Sequence, residues 1–268
     1  MTHTRYVALG DSQTEGLGDA DEAGGLRGWA DRFAELLAER EPGLLYANLA
    51  VRGRLATQVR DEQLAPALAL RPDLATVMAG MNDLIRPRFD AAAVADALED
   101  MFAALTGAGA TVLTVTFPDV GRIVPMARPL LPRVIDLNAR VLAAAERHDV
   151  LVVDTFPHAA VTDARLWSLD RLHAGPLGHA RIAAAMAHTL GLPGSDDSWT
   201  LPLPALPRPT PWRVARGELR WFAEFAAPWV RRRLRGRSSG DGRTAKRPAL
   251  LPVARPVAAE REAAPVAD

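Results

Sequence analysis

Five short apolar runs alternate with helix-length segments up to about residue 190, and this alternation restricts the fold more than any other feature. The runs are YVAL (6–9), LLYANLA (44–50), LATVMA (74–79), TVLTVTF (111–117) and VLVVDTF (150–156). They are aliphatic or β-branched and lack the strict polar–apolar alternation of a strand with one wet face. Each therefore reads as a strand buried on both sides. Helical patterns fill the gaps at 28–40, 55–68, 91–109, 129–148 and 175–190. In the first of these, Trp29, Phe33, Leu36 and Leu37 share one side of a 3.6-residue repeat. The pattern predicts an α/β fold with a five-stranded parallel sheet and right-handed helical crossovers.

The character changes after Leu190. We expect a domain over 1–192, a Pro-rich linker over 193–211, a basic amphipathic helix over 212–235 and a disordered tail over 236–268. On the helix, Val214, Phe222, Phe225 and Trp229 fall roughly on one side, and Pro228 should kink or shorten it. The run VRRRLRGR (230–237) concentrates positive charge. Peripheral contact with an anionic membrane through 212–237 is one reading, with Trp212, Trp221 and Trp229 as anchors. The favoured reading packs the aromatic side back on the main domain and leaves the arginines solvated.

Composition narrows the chemistry. The formal net charge is +0, so nothing steers the whole chain towards nucleic acid, and none is expected as a partner. The chain has no cysteine, which removes disulfides, Cys–zinc sites, iron–sulfur clusters and a thiol nucleophile. The run at 6–9 is too short for the apolar region of a signal peptide, and no stretch reaches ~18 uninterrupted apolar residues. A cytoplasmic monomer is the expectation.

Ligands of parallel sheets gather beyond the carboxyl ends of the strands. Ser12, in LGDSQTEG, follows the first run; Gly53, in NLAVRGR, follows the second; Gly80 and Asn82, in AGMND, follow the third. Asp170 and His173, in LDRLHAGPLGHA, follow the fifth by a longer loop. One sheet edge would thus gather a hydroxyl, a close-approach backbone, an amide, an imidazole and a carboxylate. That set suits acyl transfer. Ser12 is the nucleophile, His173 the base that takes its proton, and Asp170 the group that orients the imidazole. Ser12 N–H, Gly53 N–H and the Asn82 amide would form an oxyanion hole. Substrate contacts are expected from Leu17, Arg52, Arg54, Met81 and Leu84. The loop over 118–132 would serve as a lid or one side of a cleft.

Plainer readings compete at each position. Ser12 could simply cap a helix. Asp11 suits a turn or a hydrogen bond to neighbouring loops. Asn82 or Asp83 could cap the turn after β-run three. His179 reads as a structural residue of the last helix. Asp154 and Asp163 are rival partners for His173. A metal held by Asp170, His173 and His179 has no recognised ligand spacing behind it, so no metal or cofactor is expected. A G-x-S-x-G elbow is absent. A phosphate loop is disfavoured, because Lys246 is the only lysine in the chain.

The four blocks GDSQTEG, NLAVRGR, GMND and DRLHAGPLGH resemble those of the SGNH hydrolases, the GDSL-type esterases and lipases. The resemblance spans about residues 5–190. One departure is the "HA" that stands where "HP" is often seen after the histidine. The resemblance implies a flavodoxin-like α/β/α sandwich and cofactor-independent hydrolysis of an ester or thioester. The substrate would be a small acyl ester, an acetylated sugar or a lipid-like molecule. Two other functions stay open at this point. One is a non-hydrolytic carbohydrate- or lipid-binding domain anchored by the basic tail. The other is an acyltransferase using the same site.

Overall fold

The computed structural model describes residues 2–21, 24–205, 210–228 and 239–253. Its strands are β1 (Arg5–Gly10), β2 (Leu45–Asn48), β3 (Leu74–Met78), β4 (Thr111–Val115), β5 (Leu151–Val153) and β6 (Arg247–Pro252). The short helices are α1 (Ser12–Glu15), α4 (Met81–Leu84) and α6 (Val120–Ile123). The longer ones are α2 (Gly28–Arg40), α3 (Ala56–Ala69), α5 (Ala91–Gly107), α7 (Leu131–Arg147), α8 (Pro176–Leu190) and α9 (Pro211–Trp221). The strands make one sheet in the order β5-β4-β3-β1-β2-β6. β1 to β5 run parallel, with Val7 opposite Ala75 and Leu113 opposite Leu151.

Side chains of a strand alternate between its two faces, so β1 feeds two separate cores. Val7 and Leu9 enter a core shared with α3, α5 and α7. Tyr6 and Ala8 enter a second core built with α2 and α8, around Trp29 and Phe33. Both faces are dry, which is why the strands read as unbroken apolar runs. The one hydroxyl that Tyr6 carries into this interior meets Thr76 Oγ1 at 2.9 Å. The result is the expected α/β/α sandwich.

Two expectations for the C-terminal region are corrected. The sheet has six strands, not five, and part of the tail placed at 236–268 is ordered as β6, antiparallel to β2. The sequence RPALLP carries two prolines, which argue against a strand anywhere but at an edge. β6 is that edge. Contacts remote in sequence hold it: Lys246 Nζ donates to Leu26 O and Arg27 O at 2.8 Å and pairs with Asp31. Arg247 Nε donates to Tyr46 O at 2.8 Å, with its guanidinium over the Tyr46 ring.

α9 widens into a π-helical turn over Phe222–Ala226. Trp221 is half-buried and Trp212 is exposed. Trp229, the basic run at 230–237 and the tail beyond 253 lie outside the described residues. Among the described residues, no helix is long and apolar enough to cross a membrane.

Candidate active site

β1 ends where the chain must turn hard against β3. A Cβ on Gly10 would stand 2.4 Å from Thr14 Oγ1 and 2.6 Å from Met78 O, so only glycine fits. Asp11 then caps α1, its carboxylate accepting from Gln13 N at 3.2 Å. This leaves the Ser12 hydroxyl, next in the chain, free of capping duty.

The Ser12 Oγ lies 2.9 Å from His173 Nε2, and His173 Nδ1 lies 2.6 Å from Asp170 Oδ2. An ionised carboxylate only accepts, so Nδ1 carries the proton and Nε2 is left to receive one from the hydroxyl. The other Asp170 oxygen accepts from Ser168 Oγ at 2.6 Å, Leu172 N at 2.9 Å and His173 N at 3.0 Å. Burial pushes the Asp170 carboxyl up, but the His173 hydrogen bonds and charge and the Ser168 hydroxyl outweigh it. The group is held well below the usual carboxylate range. Asp170 therefore stays ionised beside the imidazole.

Two grips that the sequence did not reveal align these parts. The Gln13 amide brackets the imidazole loop, with Nε2 donating to Leu172 O at 3.2 Å and Oε1 accepting from Ala174 N at 3.1 Å. Glu15 ties down the second block, accepting from Arg52 N at 2.7 Å and from its guanidinium at 2.6 Å. Nearness to Ser12 was the only signal for either residue. Polar side chains in an α1-sized turn look alike until their partners are known.

The three predicted oxyanion donors differ in state. Ser12 N–H and Gly53 N–H have no hydrogen-bond partner among the described residues. Gly53 takes φ = 77°, which a side chain would resist. Asn82 Nδ2 donates to both Asp11 Oδ2 and Arg54 O, each at 3.0 Å. Burial lifts the Asp11 carboxyl to about 7, against the pull of the Gln13 N–H and the His173 charge. The structure thus gives Asp11 the hydrogen-bonding role expected of it.

Other expected contacts are corrected. Leu84 is fully buried in the core, because α4 turns its side chain inward, so it lines no cleft. Arg52 is held by Glu15, and Arg54 Nε pairs with Glu62 Oε2 at 2.7 Å. The Leu17 carbonyl accepts from His179 Nε2 at 2.9 Å. His179 Nδ1 accepts from Trp29 N at 3.0 Å, and burial depresses this histidine to about 4. Asp154 bonds Thr116 Oγ1 and Asp163 pairs with Arg165, so neither is the partner of His173. No cluster of three metal-ligating side chains occurs among the described residues. The loop over 118–132 folds into α6 and a 3₁₀ turn, Pro125–Leu130.

Met81 does line a cavity. It holds about 100 Å³ of free space, and its wall includes Met78, Phe117, Val153, Ile182 and Trp199. Asp11, Gln13 and Ala174 are also part of that wall, which sets the cavity against the Ser12–His173 pair.

A family model described as GDSL-like lipase/acylhydrolase matches residues 8–181. No curated protein matches the chain. Among solved structures, the acetylxylan esterase Axe2 from Geobacillus stearothermophilus is similar at 20% identity and TM-score 0.58, over 72% of this chain and 97% of that one. The lipase/acylhydrolase from Enterococcus faecalis is 20% identical with TM-score 0.56, over 70% and 95% of the two chains. The psychrotrophic esterase EstA from Pseudoalteromonas sp. is 16% identical with TM-score 0.55, over 70% and 97%. At these identities the likeness to the solved structures is one of fold.

Proposed function

The chain belongs to the GDSL-like lipase/acylhydrolase family, and we propose that it cleaves carboxylic esters of short apolar acyl groups through Ser12, His173 and Asp170. The observation that carries the reading is the continuous relay from Ser12 Oγ through both ring nitrogens of His173 to Asp170, at 2.9 and 2.6 Å.

Ser12 Oγ attacks the acyl carbon while His173 Nε2 takes its proton. Negative charge collects on the former carbonyl oxygen, and the N–H groups of Ser12 and Gly53, without a hydrogen-bond partner among the described residues, can bond it without giving up another bond. The Asn82 amide can add a third bond by exchanging its Arg54 partner. Nε2 then returns the proton to the departing alkoxide, and an acyl–Ser12 ester remains. Water gives its proton to the same nitrogen and attacks the acyl carbon; the bond from Ser12 Oγ to that carbon breaks, Oγ takes the proton back from Nε2, and the carboxylic acid leaves. Asp170 holds the imidazole in the required tautomer throughout and supports its cationic form.

The apolar cavity beside Gln13 and Ala174 supports the choice of acyl group. Its volume, about 100 Å³, is somewhat below the ~150 Å³ of an apolar protein cavity that accepts benzene. Short chains fit such a space and long ones do not. The test is a series of p-nitrophenyl esters from acetate to laurate, with Ser12→Ala as control. Turnover should be highest for acyl chains of about two to six carbons and should vanish in Ser12→Ala. Undiminished turnover in that variant, or a maximum at laurate, would overturn the reading.

A further inference from the structure

The turn that carries the relay's carboxylate is strained. Arg171, next to Asp170, takes φ = 57°, a left-handed conformation that a long side chain holds only when its surroundings impose it. The inner side of this turn is fastened by Ser168 N to His173 O at 2.8 Å and by the Gln13 amide. Its outer side is fastened by α9. Trp221 Nε1 donates to Asp170 O at 3.1 Å. Glu218 takes the Arg171 guanidinium in a two-point ion pair, both contacts at 2.8 Å. The same guanidinium lies 4.9 Å from the centre of the Trp221 ring.

Glu218 and Trp221 are three residues apart, so they project from one face of α9, and that face grips the turn. The helix lies beyond residue 181, where the match to the family model ends. The grip is therefore an addition to the shared hydrolase unit. The same extension reaches the other side of the site as well. A Cβ on Gly240 would stand 2.0 Å from Arg52 O, one residue before Gly53.

We infer that Trp221 is a positioning residue for the Ser12–His173–Asp170 relay, acting through the Asp170 carbonyl that its indole N–H holds and the Arg171 side chain that its ring covers. The inference rests on the function proposed above. The Asp170–Arg171 peptide is the hinge between the carboxylate and the strained residue. If it rotates, Asp170 Oδ2 leaves the line of His173 Nδ1. Trp221 is not part of the cavity wall, so its loss should spare substrate binding and slow the chemistry.

The test compares Trp221→Phe and Glu218→Gln with the wild-type chain on p-nitrophenyl acetate. Active sites are counted by covalent labelling with a fluorophosphonate, so that each kcat refers to competent molecules. Trp221→Phe keeps a ring over Arg171 and removes only the donor. Its kcat should fall about tenfold with KM within about twofold, since small displacements of catalytic groups act on the chemical step. The downfield proton resonance of the His173 Nδ1–H···Asp170 bond should shift or broaden in the same variant. Glu218→Gln should lower kcat about threefold through the same turn. It decides the matter if the tryptophan variant does not fold. Unchanged kcat per labelled site, or a rise in KM with kcat intact, would overturn the inference. Activity surviving in Ser12→Ala would overturn the proposed function instead, so the two failures are distinct.

Discussion

Asn82 Nδ2 donates to the Asp11 carboxylate at 3.0 Å, a bond between the segment after β3 and the segment after β1. The second amide hydrogen goes to Arg54 O at the same distance. In the proposed reaction, a developing oxyanion would have to win one of these hydrogens. Above pH 7, where Asp11 is ionised, the charge-assisted bond to it is the stronger, so the Arg54 carbonyl is the partner given up. Exchange yields less than a donor waiting free.

Asn82→Ala should accordingly cost kcat about 10²-fold, at the low end of the 10²–10³ typical for an oxyanion donor. Steady-state kinetics on a short acyl ester measures it. A loss below threefold would assign the oxyanion to Ser12 N–H and Gly53 N–H alone.

The Gln13 amide bonds the backbone on both sides of His173. Gln13→Met keeps the length of the side chain and loses both bonds. We expect kcat to fall about tenfold with the melting temperature nearly unchanged, because a shift of the imidazole misaligns the relay before it weakens the core. Kinetics and thermal unfolding on the same preparation separate the two effects.

Stability should respond to pH through two buried groups of opposite sign. His179 is depressed to about 4 in the folded chain. Its contribution is present above the unfolded value, ~6.5, and is lost as pH falls towards 4, by about 3 kcal/mol. Asp11 is raised to about 7. Its contribution is present below the unfolded carboxylate value, ~3.9, and is lost as pH rises through 7. Between pH 4 and 6.5 the two oppose each other. Asp11→Asn should therefore steepen the loss of stability on acidification. Urea unfolding from pH 4 to 8 checks this, and identical slopes in variant and wild type would refute it.

Lys246 joins β6 to α2 through Asp31, and both side chains are largely shielded from water. Burial raises the Asp31 carboxyl to about 6 even with the ammonium beside it. Lys246→Ala strands that carboxylate and loosens the strand covering β2. The expected cost is about 2 kcal/mol, which is roughly 4–8 °C in melting temperature. An exposed β2 edge should also promote association at high concentration, which light scattering detects.

Ala185 faces the cavity from α8 and is almost fully buried. Ala185→Leu should fill part of that space. The ratio of kcat/KM for hexanoate over acetate should fall about tenfold, in line with 1–3 kcal/mol of discrimination for small changes in an apolar pocket. An unchanged ratio would place the acyl group elsewhere.

How much of this was legible beforehand depended on how far apart the interacting residues lie. β1 to β5 and the long helices were readable because burial on two faces writes itself into local periodicity. The hydrogen-bonded relay of Ser12, His173 and Asp170 was readable because few residue types can form one and each follows a strand. Leu84 was misjudged: it follows β3 as a site residue would, but one helical turn carries it into the core. β6 was missed because Pro248 and Pro252 speak against a strand. Its hold comes from Lys246 on Asp31 and Arg247 on Tyr46, each pair some 200 residues apart.

The order of residues was enough to set the sandwich, the sheet edge that bears the site and the three relay residues, because periodicity and side-chain chemistry are local properties. The folded chain alone decided which Asn82 hydrogens are engaged, where an apolar cavity opens, and that α9 grips the turn between Asp170 and His173. Each of these depends on distances of about 3 Å between atoms remote in sequence. No pattern along the chain encodes such distances before the layers pack.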